Sequence, residues 1–444
     1  MCKIDKIDTY VNLICEQIRW KKVRPEIERE MKNHIVDQRD FFIEKGFDED
    51  EATEMAITET GDAILIGSQF DQLHRPKPQW VMLTATALLL FTGILIQLII
   101  FSDTDGLSRR LLFTAIGCTF MAVFYFSDFY FLAKYPKLIC FSILMFSFAI
   151  LINANSYGAY QILLLSPIAL AFIIFSMKNR GYVGILLCGF SAALFIFIAI
   201  MASSLTSCIS FVVVAAVLFG VAFFKSWFGI KKTHELLIIW GGFTVFAAII
   251  LLTMNDLKWY SLRTILNPDI DPMGRGYLAI FIREVLNSAN LFGAGDVSQL
   301  HSVTSSAFYR NTLVLTILIV YYGWIAFVGV FLILLLFAIK GFLLCFKQKN
   351  DFGLFISLAV MVTFSIQGVV YIIFNLGLPI LSPISLPLVS YGNASTIINL
   401  LLIGLMLSIF RTNNIHRDGK IYLPAPNNKM FSWHDGKLII DFKS

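Results

Sequence analysis

The chain has 444 residues, of which 57% are hydrophobic and 15% are charged, and its mean hydropathy is +0.74. This balance excludes an ordinary soluble domain, in which about 25% of the residues are charged. The net charge is +5, yet residues 1–75 hold 17 acidic and 11 basic side chains, so the positive excess lies in the apolar remainder. Attraction to anionic lipid explains that excess, and it gives no support to nucleic-acid binding.

The sequence pattern of residues 1–75 predicts a small cytoplasmic helical domain. Pro25 suits the first turn of a helix, and Gly46 suits its C-terminal cap. Asp48, three residues before a glutamate, has the spacing of a capping box and opens the next helix. A last short helix is expected over 63–73. We interpret the domain as a regulatory or docking module, with packing on the membrane surface as the alternative. The expected core residues are Ile27, Met31, Ile35, Phe41, Phe42, Ala52, Met55, Ala56 and Ile57.

A membrane domain over 80–411 and a polar cytoplasmic tail over 412–444 are predicted next. A run of about 20 apolar residues can cross a bilayer. The segment 158–176 is short and contains a Ser-Pro pair, so it is expected to be kinked or partly re-entrant. In the tail, the apolar runs on either side of 435–436 predict a hairpin. The ten predicted spans are 80–101, 111–132, 137–154, 158–176, 181–202, 207–225, 234–254, 312–340, 353–378 and 384–411.

The Lys and Arg content of the short loops gives the predicted orientation. With the N-terminus inside, the inner loops carry the lysines and the short outer loops are nearly free of basic residues, apart from Arg109 and Arg110. Both termini are therefore expected in the cytoplasm, and residues 255–311 form one long outer loop. The first apolar run begins only near Trp80, so no cleavable signal sequence is expected.

Cysteine usage gives no sign of a metal or redox site. The seven cysteines are scattered, with no CxxC pair and none in the outer loop. Isolated cysteines in apolar helices behave as small hydrophobic residues. We therefore expect no disulfide, no metal site and no bound cofactor.

Three motifs follow one another in the second half of the chain. They are RTILNPDIDPMGRGY at 263–277, SANLFGAG at 288–295 and LPLVSYGNAS at 386–395. Pro and Gly at these places set turns that fold a loop back on a helix bundle. Together the motifs resemble the SEDS family, the FtsW/RodA/SpoVE-like proteins of shape, elongation, division and sporulation. The resemblance covers roughly 80–411.

This resemblance implies an all-α integral membrane protein of about ten helices, with a large loop between the seventh and eighth, in the bacterial cytoplasmic membrane. It also implies a role in peptidoglycan biogenesis, where the family polymerises glycan strands from a lipid-linked disaccharide-pentapeptide. The partner that it implies is a single-pass penicillin-binding transpeptidase. A divalent cation is expected only if the chain is active.

Basic residues of the outer loop are candidate ligands for the diphosphate of such a precursor. Arg263, Arg275 and Arg283 could make the bidentate contacts that arginine forms with phosphate oxygens. The alternative is that they pair with acidic side chains in a solvated loop.

Three further polar residues stand in or beside the last two apolar helices. Gln367 lies within an apolar helix and needs a polar partner. Ser390 and Tyr391 either contact substrate or belong to a turn in which Tyr391 is an interfacial anchor.

The catalytic position argues against the family's chemistry. The resemblance implies a base, an Asp in a Thr-Asp-Phe-Ile-Phe-Ala pattern, at the start of the eighth helix. Anchoring on Gly323 puts Thr312 at that position, and residues 297–350 contain no Asp or Glu. A threonine hydroxyl cannot take a proton at neutral pH as a carboxylate does. The segments 165–170 and 203–207 stand where the family carries its Gln-Pro-Ser-Glu and Pro-Asp-x-Gly-Thr elements. Both segments lack the carboxylate of the family element.

Two molecular hypotheses therefore remain. The favoured one is a catalytically inactive relative that scaffolds or regulates wall synthesis. The other is a polymerase with a displaced base, for which Asp269, Asp271, Asp296 and His301 are candidates. A small-solute or lipid transporter is a weaker alternative. A transporter predicts inverted repeats with broken helices in both halves, and the sequence shows no such symmetry.

Overall fold

The computed structural model describes most of the chain, and its contacts separate two compact units. The first is Met1–Pro78 with Arg411–Arg417, and the second is Gln79–Phe410 with Asp418–Ser444. The described residues are 6–21, 23–100, 104–127, 134–152, 161–202, 205–253, 259–260, 263–264, 266–274, 276–298, 300, 312–378, 381, 385–390, 393–413, 431–434 and 437–440.

The first unit contains four helices, α1 (Lys6–Gln17), α2 (Arg24–Glu44), α3 (Glu49–Thr60) and α4 (Ala63–His74). The last three lie close to their predicted bounds, and side-chain caps fix two of their starts. Asp48 accepts a hydrogen bond from the amide of Asp50 at the start of α3, and Asp62 accepts from the amide of Ile64 at 2.7 Å at the start of α4. Such caps satisfy donors that a helix start leaves unpaired.

Helix α1 was not predicted, although its apolar side chains recur at helical spacing. Ile7, Val11 and Ile14 are almost completely buried and pack with residues of α2 and α3, among them Ile35. One predicted core residue is wrong: Phe41 is 50% exposed. It lies in the last turns of α2, where its ring is covered by the ammonium of Lys45 and not by the core.

The second unit is helical, and among the described residues seven helices are long and apolar enough to cross a membrane. Two shorter apolar helices, Pro136–Ile152 and Ser166–Ser176, also lie in predicted spans, and the count of ten stays a prediction. The helices are α5 (Trp80–Ile100), α6 (Thr104–Phe126), α7 (Pro136–Ile152), α8 (Ser166–Ser176), α9 (Gly181–Met201), α10 (Leu205–Phe224), α11 (Lys232–Thr253), α12 (Tyr277–Asn287), α13 (Val314–Tyr322), α14 (Trp324–Phe346), α15 (Asp351–Asn375) and α16 (Asn393–Thr412).

Two predicted spans have wrong bounds. The segment 312–340 is divided at Gly323 into a short helix, α13, and a longer one, α14, because Gly323 adopts φ +87° and ends the first helix. The last span begins at Asn393 and not at 384, because Leu386–Ser390 form a turn in which Leu388 has φ +67°.

The core of the second unit is centred on α15. This helix packs against α8, α10 and α14, and its aromatic side chains Phe352 and Phe355 meet Phe175 and Trp227. Every residue of α8 from Ser166 to Phe175 is buried. A helix that is apolar all round is a buried helix, so α8 belongs to the interior of the bundle.

The predicted hairpin of the tail is confirmed by β1 (Phe431–His434) and β2 (Lys437–Ile440). The strands pair antiparallel, with Phe431 opposite Ile440 and His434 opposite Lys437.

Candidate functional site

Thr312 lies two residues before α13 and is only 9% exposed. Its carbonyl oxygen accepts a hydrogen bond of 2.9 Å from the side-chain amide of Asn375, at the C-terminal end of α15. Asn375 is completely buried. The position at which the family resemblance implies a catalytic aspartate is thus joined to the last turn of α15.

Asn375 makes four side-chain hydrogen bonds at this point. Its Nδ2 donates to the carbonyl oxygens of Thr312 and Tyr371, both at 2.9 Å. Its Oδ1 accepts from the backbone amide of Thr316 at 3.1 Å and from the Thr316 hydroxyl at 3.0 Å. The hydroxyl of Tyr371 accepts from the amide of Val314 at 3.3 Å. We call Thr312, Thr316, Tyr371 and Asn375 the amide clamp.

The amide clamp serves the start of α13. The first amides of a helix have no partner within it and need acceptors from elsewhere. Here Val314 and Thr316 find those acceptors on Tyr371 and Asn375. Every side chain in the clamp is uncharged at neutral pH. The clamp can therefore donate and accept hydrogen bonds, but it offers no carboxylate as a general base.

The described residues of the 263–277 motif include a short 3-10 helix at Pro268–Ile270. A methyl group on Gly276 would lie 2.2 Å from the carbonyl oxygen of Pro268, and one on Gly274 would lie 2.4 Å from the carboxylate of Asp271. Gly276 is therefore required by close approach of the backbone, whereas at Gly274 the flexible Asp271 side chain could move aside. Asp269 is exposed on this turn, whereas Asp271 is half-buried against Gly274.

Asp296 is the third candidate for a displaced base. Its carboxylate accepts hydrogen bonds from the amide of Ser298 at 3.0 Å and from its hydroxyl at 2.6 Å. These bonds stabilise the charged form and lower the pKa of Asp296. A carboxylate whose pKa is lowered is a weaker base, so this geometry does not favour proton abstraction by Asp296.

The 288–295 motif packs on the break between α13 and α14. The carbonyls of Asn290 and Leu291 accept from the amides of Trp324 and Ile325, at 3.1 and 3.3 Å. A methyl group on Gly323 would lie 2.6 Å from the Leu291 carbonyl oxygen. The loop thus supplies acceptors to the free amides at the start of α14, and the motif has a structural function here.

The three candidate arginines have different surroundings. Arg263 is exposed. The Nε of Arg283 donates to the carbonyl oxygen of Gly377 at 2.9 Å, just beyond α15. Arg275, with Tyr391 and His301, lies outside the described residues. Thr312 and Arg283 are therefore both tied to the end of α15, through Asn375 and Gly377.

Two buried polar side chains complete this part of the bundle. Gln367 is 1% exposed, and within the described part of the chain neither its Oε1 nor its Nε2 has a hydrogen-bond partner. Ser390 is also buried, and its hydroxyl donates to the carbonyl of Leu386 at 3.2 Å. That bond accounts for Ser390 as part of the turn before α16.

Arg110 is a buried residue that the sequence interpretation did not assign to the site. Its Nη1 donates to Gln97 at 3.2 Å and its Nη2 to the carbonyl of Val389 at 2.8 Å. It therefore joins α5 and α6 to the 386–395 motif. The signal for it was present in the sequence, because Arg110 departs from the loop charge pattern. Asn375 had no comparable signal, since its role depends on where α15 ends.

A comparison with known proteins identifies the family. The family model of the FtsW/RodA/SpoVE cell cycle proteins matches residues 79–415, more than half of the chain. The chain belongs to the FtsW/RodA/SpoVE family. This membership confirms the resemblance of the three motifs, and it establishes a multi-pass membrane protein.

Similar proteins include curated members of this family. The probable peptidoglycan glycosyltransferase FtsW of Trichlorobacter lovleyi is 26% identical over 185 residues, which are 40% of this chain and 47% of that protein. The stage V sporulation protein E of Bacillus subtilis is 27% identical over 190 residues, 41% of this chain and 50% of that protein. The chain spans about half the length of the curated relatives that it matches.

Solved structures share the fold over a larger part of the chain. A chain from a structure of a peptidoglycan synthase complex is similar with a TM-score of 0.60 and 17% identity, over 76% of this chain and 98% of that one. The rod shape-determining protein RodA of Thermus thermophilus gives a TM-score of 0.51 and 18% identity, over 76% and 97%. These likenesses confirm the all-α membrane fold.

Proposed function

We propose that this protein acts in peptidoglycan biogenesis, in division, shape or sporulation, as a member of its family that does not itself polymerise glycan. In this role it binds a partner or the lipid-linked precursor and regulates wall synthesis. The observation that carries the proposal is the amide clamp. Its uncharged side chains bind the carbonyl of Thr312 and the first amides of α13, at the position where the family resemblance implies a catalytic aspartate.

Further observations support the same role. Relatives carry the names of peptidoglycan glycosyltransferases and of a sporulation protein, and a similar chain comes from a peptidoglycan synthase complex. We therefore propose a single-pass penicillin-binding transpeptidase as the partner. Both termini lie in the cytoplasm in this proposal, so that residues 1–75 act there as a regulatory domain. Arg263 and Arg275 are the candidates for contact with the precursor's diphosphate.

A polymerisation assay tests the proposal. The purified full-length protein is mixed with lipid-linked disaccharide-pentapeptide and a divalent cation, and glycan polymer is resolved on a gel. The wild type should form no polymer above background. General-base catalysis is worth about 10²–10⁴ in rate, so Thr312→Asp is the substitution expected to gain activity. Thr312→Asn is the matched control, since it adds a side chain of the same shape without the charge.

One result would favour a displaced base instead. That result is polymerisation by the wild type that survives Thr312→Ala and is abolished by Asp269→Ala, Asp271→Ala or Asp296→Ala. The amide clamp would then be a structural feature, and the outer loop would carry the chemistry.

A further inference from the structure

An apolar cavity lies between α9, α10 and α11. Its volume is about 630 Å³, and its walls include Ile185 and Phe190 of α9, Phe219 of α10, and Ile238 and Gly242 of α11. Sites for small molecules and cofactors occupy about 300–1,000 Å³. The cavity is thus large enough for a ligand, and its walls suit an apolar one.

A buried carboxylate lies on α11, one helical turn before the residues that line this cavity. Glu235, in the first turn of α11, is completely buried, and among the described residues neither of its carboxylate oxygens has a hydrogen-bond partner. Ile238, Ile239 and Gly242 follow it at helical spacing and line the cavity. Residues three, four and seven positions apart share one face of a helix. Glu235 therefore lies on the cavity side of α11, one turn before its wall.

A buried carboxylate is stable when a cation or hydrogen-bond donors meet it. Lys231 and Lys232, beside it in sequence, are exposed. The charge of Lys232 acts on Glu235 through space, but none of the described ion pairs joins the two, and the Lys232 ammonium lies 5.9 Å from the ring centre of Phe223. The protein thus presents a buried negative group, two exposed positive groups and an apolar cavity along one end of α11.

We infer that this end of α11 binds a zwitterionic aminophospholipid. Its ammonium pairs with Glu235, its phosphate lies against Lys231 and Lys232, and an acyl chain enters the cavity. Glu235 is fully covered, so binding requires its carboxylate to turn toward the ligand, which its side-chain torsions allow. The inference does not depend on whether the protein polymerises glycan.

Other occupants satisfy only part of this arrangement. A lysine from a partner protein would neutralise Glu235 but leave the cavity unfilled. An anionic lipid such as phosphatidylglycerol would fill the cavity and meet the lysines, but it has no ammonium for Glu235. Phosphatidylcholine carries a positive charge but has no N–H donors. Comparing it with phosphatidylethanolamine therefore distinguishes the effect of charge from the effect of hydrogen bonding to Glu235.

Native mass spectrometry of the purified full-length protein tests this assignment. The protein is stripped of lipid and titrated with phosphatidylethanolamine, phosphatidylglycerol or phosphatidylcholine. The wild type should bind phosphatidylethanolamine most tightly, by on the order of ten-fold, since the pairing is a charge-assisted hydrogen bond. Glu235→Gln should abolish that preference and retain weaker, headgroup-independent binding.

The cavity is tested with a pair of glycines. No atom lies within 4 Å of a methyl group placed on Gly242 or on Gly220, but only Gly242 lines the cavity. Gly242→Leu should reduce binding of all three lipids, and Gly220→Leu should not. Equal binding of the three lipids by the wild type, an unchanged preference in Glu235→Gln, or equal losses in the two leucine variants would overturn the assignment.

Discussion

At the scale of single residues, Asn375 sets the character of the candidate site. All four of its side-chain hydrogen bonds go to α13, to Thr312 just before it, or to α15 itself. A buried polar network in which every member has a partner fixes one geometry. The start of α13 is therefore held rigidly by neutral groups, so loss of Asn375 should affect stability as well as the site.

Asn375→Leu is expected to destabilise the protein by about 2–6 kcal/mol, because the Thr312 carbonyl and the Thr316 amide both lose this bond and each such loss costs about 1–3 kcal/mol. Asn399→Leu is the matched control. Asn399 is also buried, and within the described residues its Oδ1 has no partner, so its replacement should cost less than that of Asn375. Apparent melting temperatures of the purified variants measure the difference. Equal shifts would show that the amide clamp contributes nothing specific.

The identities of the site residues were only partly predictable. Thr312 could be found because motifs on either side fix its alignment with the family. Arg283 is a different case, because its bond to Gly377 depends on where α12 packs on the end of α15. A sequence pattern gives the chemistry that a side chain offers, whereas non-local packing decides which partner it meets.

At the scale of elements, the break at Gly323 is the main departure from the sequence prediction. Residues 312–340 form an uninterrupted apolar run, and such a run alone predicts one helix. The break depends on the positive φ of Gly323 and on the carbonyls of Asn290 and Leu291, which replace helical partners. The hairpin of the tail was predictable, because its turn and strands are local.

Gly323→Ala should therefore weaken the docking of the 288–295 motif. The added methyl group would meet the Leu291 carbonyl at 2.6 Å, and the φ of +87° is unfavourable for alanine. Gly329→Ala in α14 is the control, since no atom lies within 4 Å of its added methyl group. Limited proteolysis of the outer loop is the measurement. Faster cleavage in Gly323→Ala than in Gly329→Ala is expected, and equal rates would contradict the docking.

At the scale of the whole molecule, the positions of charged side chains support one orientation. Lys178 and Lys225, each just after a membrane helix, both pair with Asp351 at the start of α15. These three residues mark one end of the second unit. Since basic residues concentrate on the cytoplasmic side, we propose that this end faces the cytoplasm.

Cysteine labelling tests that orientation in a background that lacks the seven native cysteines. Ser298 and Lys231 are both exposed and belong to loops that the orientation assigns to opposite sides. A membrane-impermeant reagent should label Ser298→Cys in intact cells. It should label Lys231→Cys only after the membrane is permeabilised. Both sites are accessible in the fold, so a failure to label reports the membrane and not burial. Labelling of Lys231→Cys alone in intact cells would invert the proposed topology and move residues 1–75 outside.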